Sequence, residues 1–103
     1  MKPQEKKNVT FKFTLYVAGD TVNSWQAVSN LTSLCKIHLP DHYEIELVDV
    51  LRNPKRALKD HILMTPTLIK FSPTPVGRVI GTLNQALPVL QALGIGPSSS
   101  EIE

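Results

Sequence analysis

The chain has 103 residues with a formal net charge of +2, and 42% of its residues are hydrophobic and 19% charged. These values predict one soluble domain with a single modest core, and they exclude a disordered chain. No apolar run approaches the ~20 residues that cross a bilayer, so we expect no membrane partner. The basic residues are neither dense nor interleaved with aromatic residues, so we expect no nucleic-acid partner.

Cys35 is the only cysteine, which rules out an internal disulfide bond and fits a reducing cytoplasm. Residues 1–8 are polar and lysine-bearing with no apolar stretch behind them, so we expect no secretory signal and a cytoplasmic location. We predict that residues 1–8 form a polar lead-in, that residues 9–96 form a single domain, and that residues 97–103 form a frayed tail.

The first predicted element is a strand over residues 9–17, where apolar and polar residues alternate strictly. The alternation predicts one strongly apolar face, with Tyr16 among the polar residues. After a turn at residues 18–20, Thr21 or Asn23 would cap a helix that ends at Pro40. This helix carries an apolar stripe at three- and four-residue steps, formed by Trp25, Val28, Leu31, Leu34 and Cys35.

The sequence patterns in the second half of the chain predict shorter strands and helices. Residues 43–51 read as a strand whose later part is apolar on both faces, as expected for a strand covered on two sides. Asn53 and Pro54 predict the N-cap and first residue of a short helix over residues 54–61. Residues 67–71 and 76–80 predict an antiparallel hairpin. A last helix begins at Asn84 or, to avoid an internal proline, at Pro88.

The predicted fold class is α/β, and the order βαβ–α–ββ–α is the thioredoxin arrangement. A strand, a helix and a strand of these lengths form a right-handed parallel crossover in the first half. Local conflicts are confined to the residues after about Asn53. A segment whose local preferences disagree with one fold is a candidate for more than one packing.

The proline turn at residues 64–68 resembles the turn that lines a thioredoxin-like active site. The turn after the first strand, residues 19–24, would carry the partner motif, yet it contains no cysteine. A dithiol oxidoreductase needs a thiolate and a resolving cysteine, so this chemistry is excluded. Cys35 lies late in the first helix, where we expect a small buried hydrophobic residue rather than a nucleophile.

Two further groups of residues suggest chemistry only weakly. Cys35, His38 and His42 resemble a metal-ligand spacing, but structural zinc sites normally have four protein ligands, so we predict no metal. His61 beside Asp60 has no accompanying nucleophile, and we expect it to contact solvent. The glycines are isolated, so no phosphate-binding loop and no cofactor are predicted.

Taken together, several blocks of the sequence resemble the KaiB family, in register from about Lys12 to Leu93. These blocks are residues 15–19, Asn23-Ser24, residues 48–51, Asn53-Pro54, Ile62-Leu63, residues 65–68, Lys70, Pro73, Pro75-Val76, Arg78 and Ile80-Gly81. The resemblance implies a non-enzymatic binding protein of the circadian system that associates with KaiC, a hexameric ATPase and autokinase. It also implies a KaiA-like protein or a sensor kinase as further partners, and a homo-oligomer, dimeric or tetrameric.

The resemblance further implies two folds that share a thioredoxin-like βαβ first half. In a tetrameric ground state the whole order is roughly βαββααβ, and in a monomeric thioredoxin-like state it is βαβαββα. The residues it carries over are Arg52, Lys70 and Arg78 as basic surface positions for partner binding, and Tyr16, Pro66 and Gly81 as structural or fold-switch positions. The chain departs from the family pattern at Gln26, Glu46, His61, Gly77 and Thr82, which would alter charge at a partner interface.

Three functional hypotheses follow. The first is a regulatory module that binds a KaiC-type ATPase and modulates its phosphorylation state, or a divergent homologue with another partner in stress adaptation. The second is a thioredoxin-like redox protein acting through Cys35 alone. The third is the input domain of a sensor kinase, which the length of the chain disfavours.

Overall fold

The computed structural model describes residues 9–95. Its elements are β1 (Phe11–Val17), α1 (Val22–His38), β2 (Tyr43–Asp49), α2 (Pro54–Lys59), β3 (Thr67–Ser72), β4 (Gly77–Ile80) and α3 (Ala86–Ala92). The strands form one sheet in the order β2-β1-β3-β4, with β1 parallel to β2 and the other pairs antiparallel. The predicted α/β class and the thioredoxin-like order βαβαββα are therefore confirmed, whereas βαββααβ is not the order found. The predicted lead-in (1–8) and tail (97–103) lie outside the described residues.

Strand β1 is central in the sheet and buried on both faces, which corrects the prediction of a single apolar face. Its apolar side chains pack against α1, while Thr14 and Tyr16 are buried on the opposite face. Buried polar groups need hydrogen-bond partners. The Thr14 hydroxyl donates to Glu46 at 3.5 Å, and the Tyr16 hydroxyl donates to the Asp60 carboxylate.

Helix α1 begins where a cap was predicted, because the Thr21 hydroxyl accepts a hydrogen bond from the Ser24 amide at 3.1 Å. The buried face consists of Ser24, Ala27, Leu31 and Cys35. Placing Trp25 on that face is wrong, since its side chain is 61% exposed. The Trp25 side chain instead lines a pocket between α1 and β2, together with Leu47.

Strand β2 is an edge strand, and the prediction that it is covered on two sides is wrong. Val48 is buried in a cluster with Tyr16 and Ile69, but Leu47 on the other face is more than half exposed. The strand ends at Asp49 because the chain turns there: the Asp49 carbonyl accepts the backbone amides of Arg52 and Asn53.

Helix α2 lies on the second side of the sheet, where Val50 and Ile62, which flank the helix, pack against Tyr16, Val48 and Ile69. Asn53 takes the predicted N-cap position, but its side chain forms no capping bond and donates instead to the Asp49 carbonyl at 3.0 Å. The helix ends at Lys59, two residues before the predicted end at His61, whose φ of 56° is not helical.

The predicted hairpin of β3 and β4 is confirmed, with Leu68 paired to Val79. Helix α3 begins at Ala86 rather than at either predicted residue. Pro88 is its third residue, in the first turn, where a backbone amide has no acceptor within the helix and its loss costs little. Among residues 9–95, none of these helices has the length and apolarity needed to cross a membrane.

Candidate functional site

The proline turn lies beside an open groove on the α2 side of the sheet. The Thr65-Pro66 peptide bond is cis, and Pro66 is buried at the start of β3. The groove has a volume of about 420 Å³ and lies between α2 and this turn. Its lining residues are Val50, Pro54, Ala57, Leu58, Ile62, Leu63, Met64 and Thr65. We call it the α2 groove.

The rim of the α2 groove exposes large apolar side chains. Leu63 is 93% exposed, Leu58 77% and Met64 60%. Single exposed leucines are ordinary, but a cluster of this kind marks a surface that binds another molecule. The groove therefore presents an apolar surface beside the cis-proline turn.

Three basic residues at or next to α2 are exposed, namely Arg52, Lys55 and Lys59. The Arg52 side chain is 86% exposed, and its Nε lies 3.9 Å from Asp49 Oδ2, too far for a strong ion pair. A partner that fits both features has apolar side chains among carboxylates.

Three contacts hold α2 on the sheet. Arg56 donates to both Glu46 oxygens, at 2.5 and 2.9 Å, which lowers the pKa of Glu46 and raises that of Arg56. The buried Tyr16 hydroxyl donates to Asp60, and burial together with this bond raises the pKa of Tyr16 to about 12. Arg78 on β4 donates to the Asp60 carbonyl at 2.8 Å. The groove is thus built on a short helix fixed by side chains from three strands.

The prediction that Lys70 is a basic surface position is wrong for this structure. Its side chain is 2% exposed and points to the α1 side of the sheet, where Nζ donates to the Leu93 carbonyl at 2.6 Å. Nζ also lies 5.7 Å from the centroid of the Phe11 ring. Burial lowers the pKa of Lys70. Lys70 therefore fastens the end of α3 to β3, since helix C-termini attract cations.

The other carried-over residues fall at distinct places. Arg52 and Arg78 are exposed on the α2 side. Tyr16 lies beneath the α2 groove, and Pro66 lies beside it. Gly81 follows β4 with φ of 119°, a conformation that favours glycine, and its amide donates to the Pro66 carbonyl at 2.9 Å. Tyr16 and Arg78 thus meet at Asp60, and Gly81 meets Pro66. Arg52 lies apart from them, before α2, and Lys70 lies on the other side of the sheet.

Cys35 faces away from the α2 groove, in the core between α1 and the sheet. Its side chain is 2% exposed, and burial raises the pKa of the thiol to about 12. The expected buried cysteine is confirmed. In residues 9–95 no three His, Cys, Asp or Glu side chains are arranged to hold a metal ion. His61 is exposed, as predicted.

Several departures from the family pattern have structural consequences. Glu46 forms the ion pair with Arg56, and the Thr82 carbonyl accepts a bond from Asn30 Nδ2 at 2.8 Å. A Cβ atom on Gly77 would lie 3.0 Å from the Ala92 carbonyl oxygen, so β4 approaches α3 closely there. Gln26 is exposed on α1.

Sequence reasoning missed the apolar rim of the α2 groove and the role of Asp60. The rim had a visible signal, because Ile62, Leu63 and Met64 are three successive apolar residues outside any predicted strand or helix. The Tyr16–Asp60 bond had none, since the two residues are separated by 44 positions.

The KaiB domain family matches residues 14–95 of this chain. The chain belongs to the KaiB family. It is 41% identical over 88 residues to the circadian clock protein KaiB3 of Synechocystis, a match that covers 85% of this chain and 86% of that protein. It is 42% identical over 86 residues to the circadian clock oscillator protein KaiB of Synechococcus elongatus, covering 84% of each. The resemblance to the KaiB family that the sequence blocks indicated is confirmed.

Solved structures support the fold of this KaiB-family chain. The N-terminal domain of Synechococcus elongatus SasA is similar with a TM-score of 0.68 at 19% identity, covering 84% of this chain and 85% of that one. The Drosophila germline-specific thioredoxin Deadhead is similar with a TM-score of 0.66 at 14% identity, covering 88% and 87%. At these identities the similarity concerns the thioredoxin-like fold alone.

Proposed function

We propose that this KaiB-family chain is a non-enzymatic regulatory protein that binds a KaiC-type ATPase and modulates its phosphorylation state. The observation that carries the proposal is the family match over residues 14–95, with relatives named as circadian clock proteins. The predicted KaiA-like and sensor-kinase partners, the stress-adaptation role and the cytoplasmic location stay predictions.

The α2 groove is the surface we propose for the ATPase. Leu63 and Leu58 supply apolar contact, and Arg52 supplies a cation free to meet a partner carboxylate. Buried apolar anchors with a charged rim are the usual arrangement of a protein interface. The buried Cys35, on the opposite side of the sheet, offers no thiolate to a substrate in this groove.

Size-exclusion chromatography with the cognate KaiC-type ATPase tests this proposal. We expect the wild-type chain to co-elute with the ATPase in at least one nucleotide state. Leu63→Asp and Arg52→Glu should each weaken binding about tenfold, equivalent to 1.4 kcal/mol at an interface anchor. Lys36→Glu is the matched control for Arg52→Glu, since it makes the same charge change on exposed α1 and should bind normally.

Absence of a complex in every nucleotide state would contradict the proposed partner. If the complex survives Leu63→Asp and Arg52→Glu but is lost with Lys36→Glu, the proposed partner is correct but the α2 groove is not the binding surface.

We also propose that the chain forms a homo-oligomer in a second fold and binds the ATPase in the fold described above. The sequence supports this, because local preferences that conflict with a single fold are confined to the residues after about Asn53. Light scattering measures the oligomer, and two slowly exchanging sets of NMR peaks would report two folds. One peak set from a monomer under all conditions would contradict the proposal.

A further inference from the structure

A second, smaller pocket lies on the side of the sheet opposite the α2 groove. It opens between α1 and the edge strand β2, and its volume is about 180 Å³. Its apolar floor is formed by Val17, Val28 and Leu47. One wall is the 61% exposed indole of Trp25.

The other wall of this pocket is acidic. Asp20 and Asp49 both line it, at the carboxyl ends of β1 and β2. Asp49 Oδ1 is occupied, because it accepts the amides of Gly19 at 3.2 Å and Leu51 at 2.9 Å. The Oδ2 atom has only a distant partner within residues 9–95, the Nε of Arg52 at 3.9 Å. One carboxylate oxygen of Asp49 is thus available to a cation.

The size of the pocket limits what it accepts. A volume of 180 Å³ corresponds to about six water molecules at ~30 Å³ each. Pockets for nucleotides and other small ligands are larger, from about 300 Å³ upward. A single long side chain fits the space.

We propose that this pocket receives an arginine side chain from a protein partner. A planar guanidinium stacks on an indole face while its N–H groups pair with carboxylates, a combination that lysine reproduces less well. Asp20 and Asp49 supply the negative charge and Trp25 the aromatic face. The pocket and the α2 groove share no lining residue.

Titration of ¹⁵N-labelled protein with N-acetyl-arginine methylamide, followed by two-dimensional NMR, tests this inference. We expect saturable shifts at the Trp25 indole N–H and the Gly19 amide. The uncharged analogue N-acetyl-citrulline methylamide should bind about threefold more weakly or worse. Equal binding of the two probes, or no saturable shift of the indole, would overturn the proposal.

Substitutions test the contribution of individual pocket residues to arginine binding. Trp25→Val and Asp20→Asn should each raise the Kd for the arginine probe about threefold, and their peak dispersion confirms folding because both positions are exposed. Val22→Ala is the matched control, since Val22 is a neighbouring exposed apolar residue that does not line the pocket. Arg52→Ala should lower the Kd by removing a competing guanidinium near Asp49. An unchanged Kd in Trp25→Val or Asp20→Asn would overturn the assignment.

Discussion

Replacing Tyr16 with phenylalanine removes a single buried oxygen and tests how α2 is held on the sheet. The Tyr16 side chain is fully buried, and its hydroxyl donates to the Asp60 carboxylate at the end of α2. A hydrogen bond to a charged group contributes about 1.5–3 kcal/mol. Since Tyr16→Phe leaves the ring packing intact, we expect the free energy of unfolding near pH 7 to fall by roughly 2 kcal/mol.

The pH dependence of the free energy of unfolding provides a second measurement. Burial first, and the Asp60 bond second, raise the pKa of Tyr16 from 10.0 to about 12. A raised pKa means that the folded state favours the neutral phenol, so the stability it contributes is present below pH 10 and is lost as the pH rises toward 12. Two pKa units correspond to about 2.7 kcal/mol. Wild type should lose this stability in that range, whereas Tyr16→Phe should not.

Urea denaturation monitored by far-ultraviolet circular dichroism measures both effects. Tyr43→Phe is the matched control, because Tyr43 is only half-buried on the edge strand. A Tyr16→Phe protein as stable as wild type near pH 7, or a stability difference that does not shrink above pH 10, would refute the role given to the Tyr16–Asp60 bond.

One labelling experiment and two substitutions test other parts of the fold. Cys35 should react with a thiol reagent at pH 8 far more slowly in the folded protein than in urea, because its pKa is about 12 and it is buried; equal rates would contradict its burial. Lys70→Glu should destabilise the fold by about 3–5 kcal/mol, since a carboxylate would face the Leu93 carbonyl, whereas exposed Lys36→Glu should change stability by less than about 0.5 kcal/mol. Gly81→Ala should destabilise by about 1–3 kcal/mol through backbone strain at φ of 119°, measured by urea denaturation; an unchanged midpoint would contradict that strain.

Local signals were sufficient for most of the fold. Period-two alternation located β1, the Thr21 cap located the start of α1, and the prolines and glycines after Thr65 located the hairpin. What local signals could not show is how many sides of an element are covered. The polar residue Tyr16 is buried in β1 because Val50 and Ile62, on either side of α2, pack against its cluster. Leu47 is exposed in β2, which is an edge strand.

The sequence indicated only part of the candidate site, because local signals do not show what a side chain contacts. Arg52 and Arg78 are exposed and Pro66 is buried in the cis-proline turn, while their partner-binding and fold-switch roles stay predictions. Lys70 is not exposed, because its partner is a main-chain carbonyl on α3, and no side-chain pattern in the sequence marks a main-chain acceptor. The apolar rim had a signal in the successive apolar residues 62–64, but only the structure shows that Leu58 on α2 and Leu63 after it are both exposed.

Hydrogen–deuterium exchange of the chain, free and in complex with its KaiC-type ATPase, tests most directly whether recognition through the α2 groove is what this protein does. The account predicts slower exchange on binding for backbone amides in residues 50–65, with α1 unchanged near Lys36. Protection confined to α1, or no protection anywhere at saturating ATPase, would contradict it.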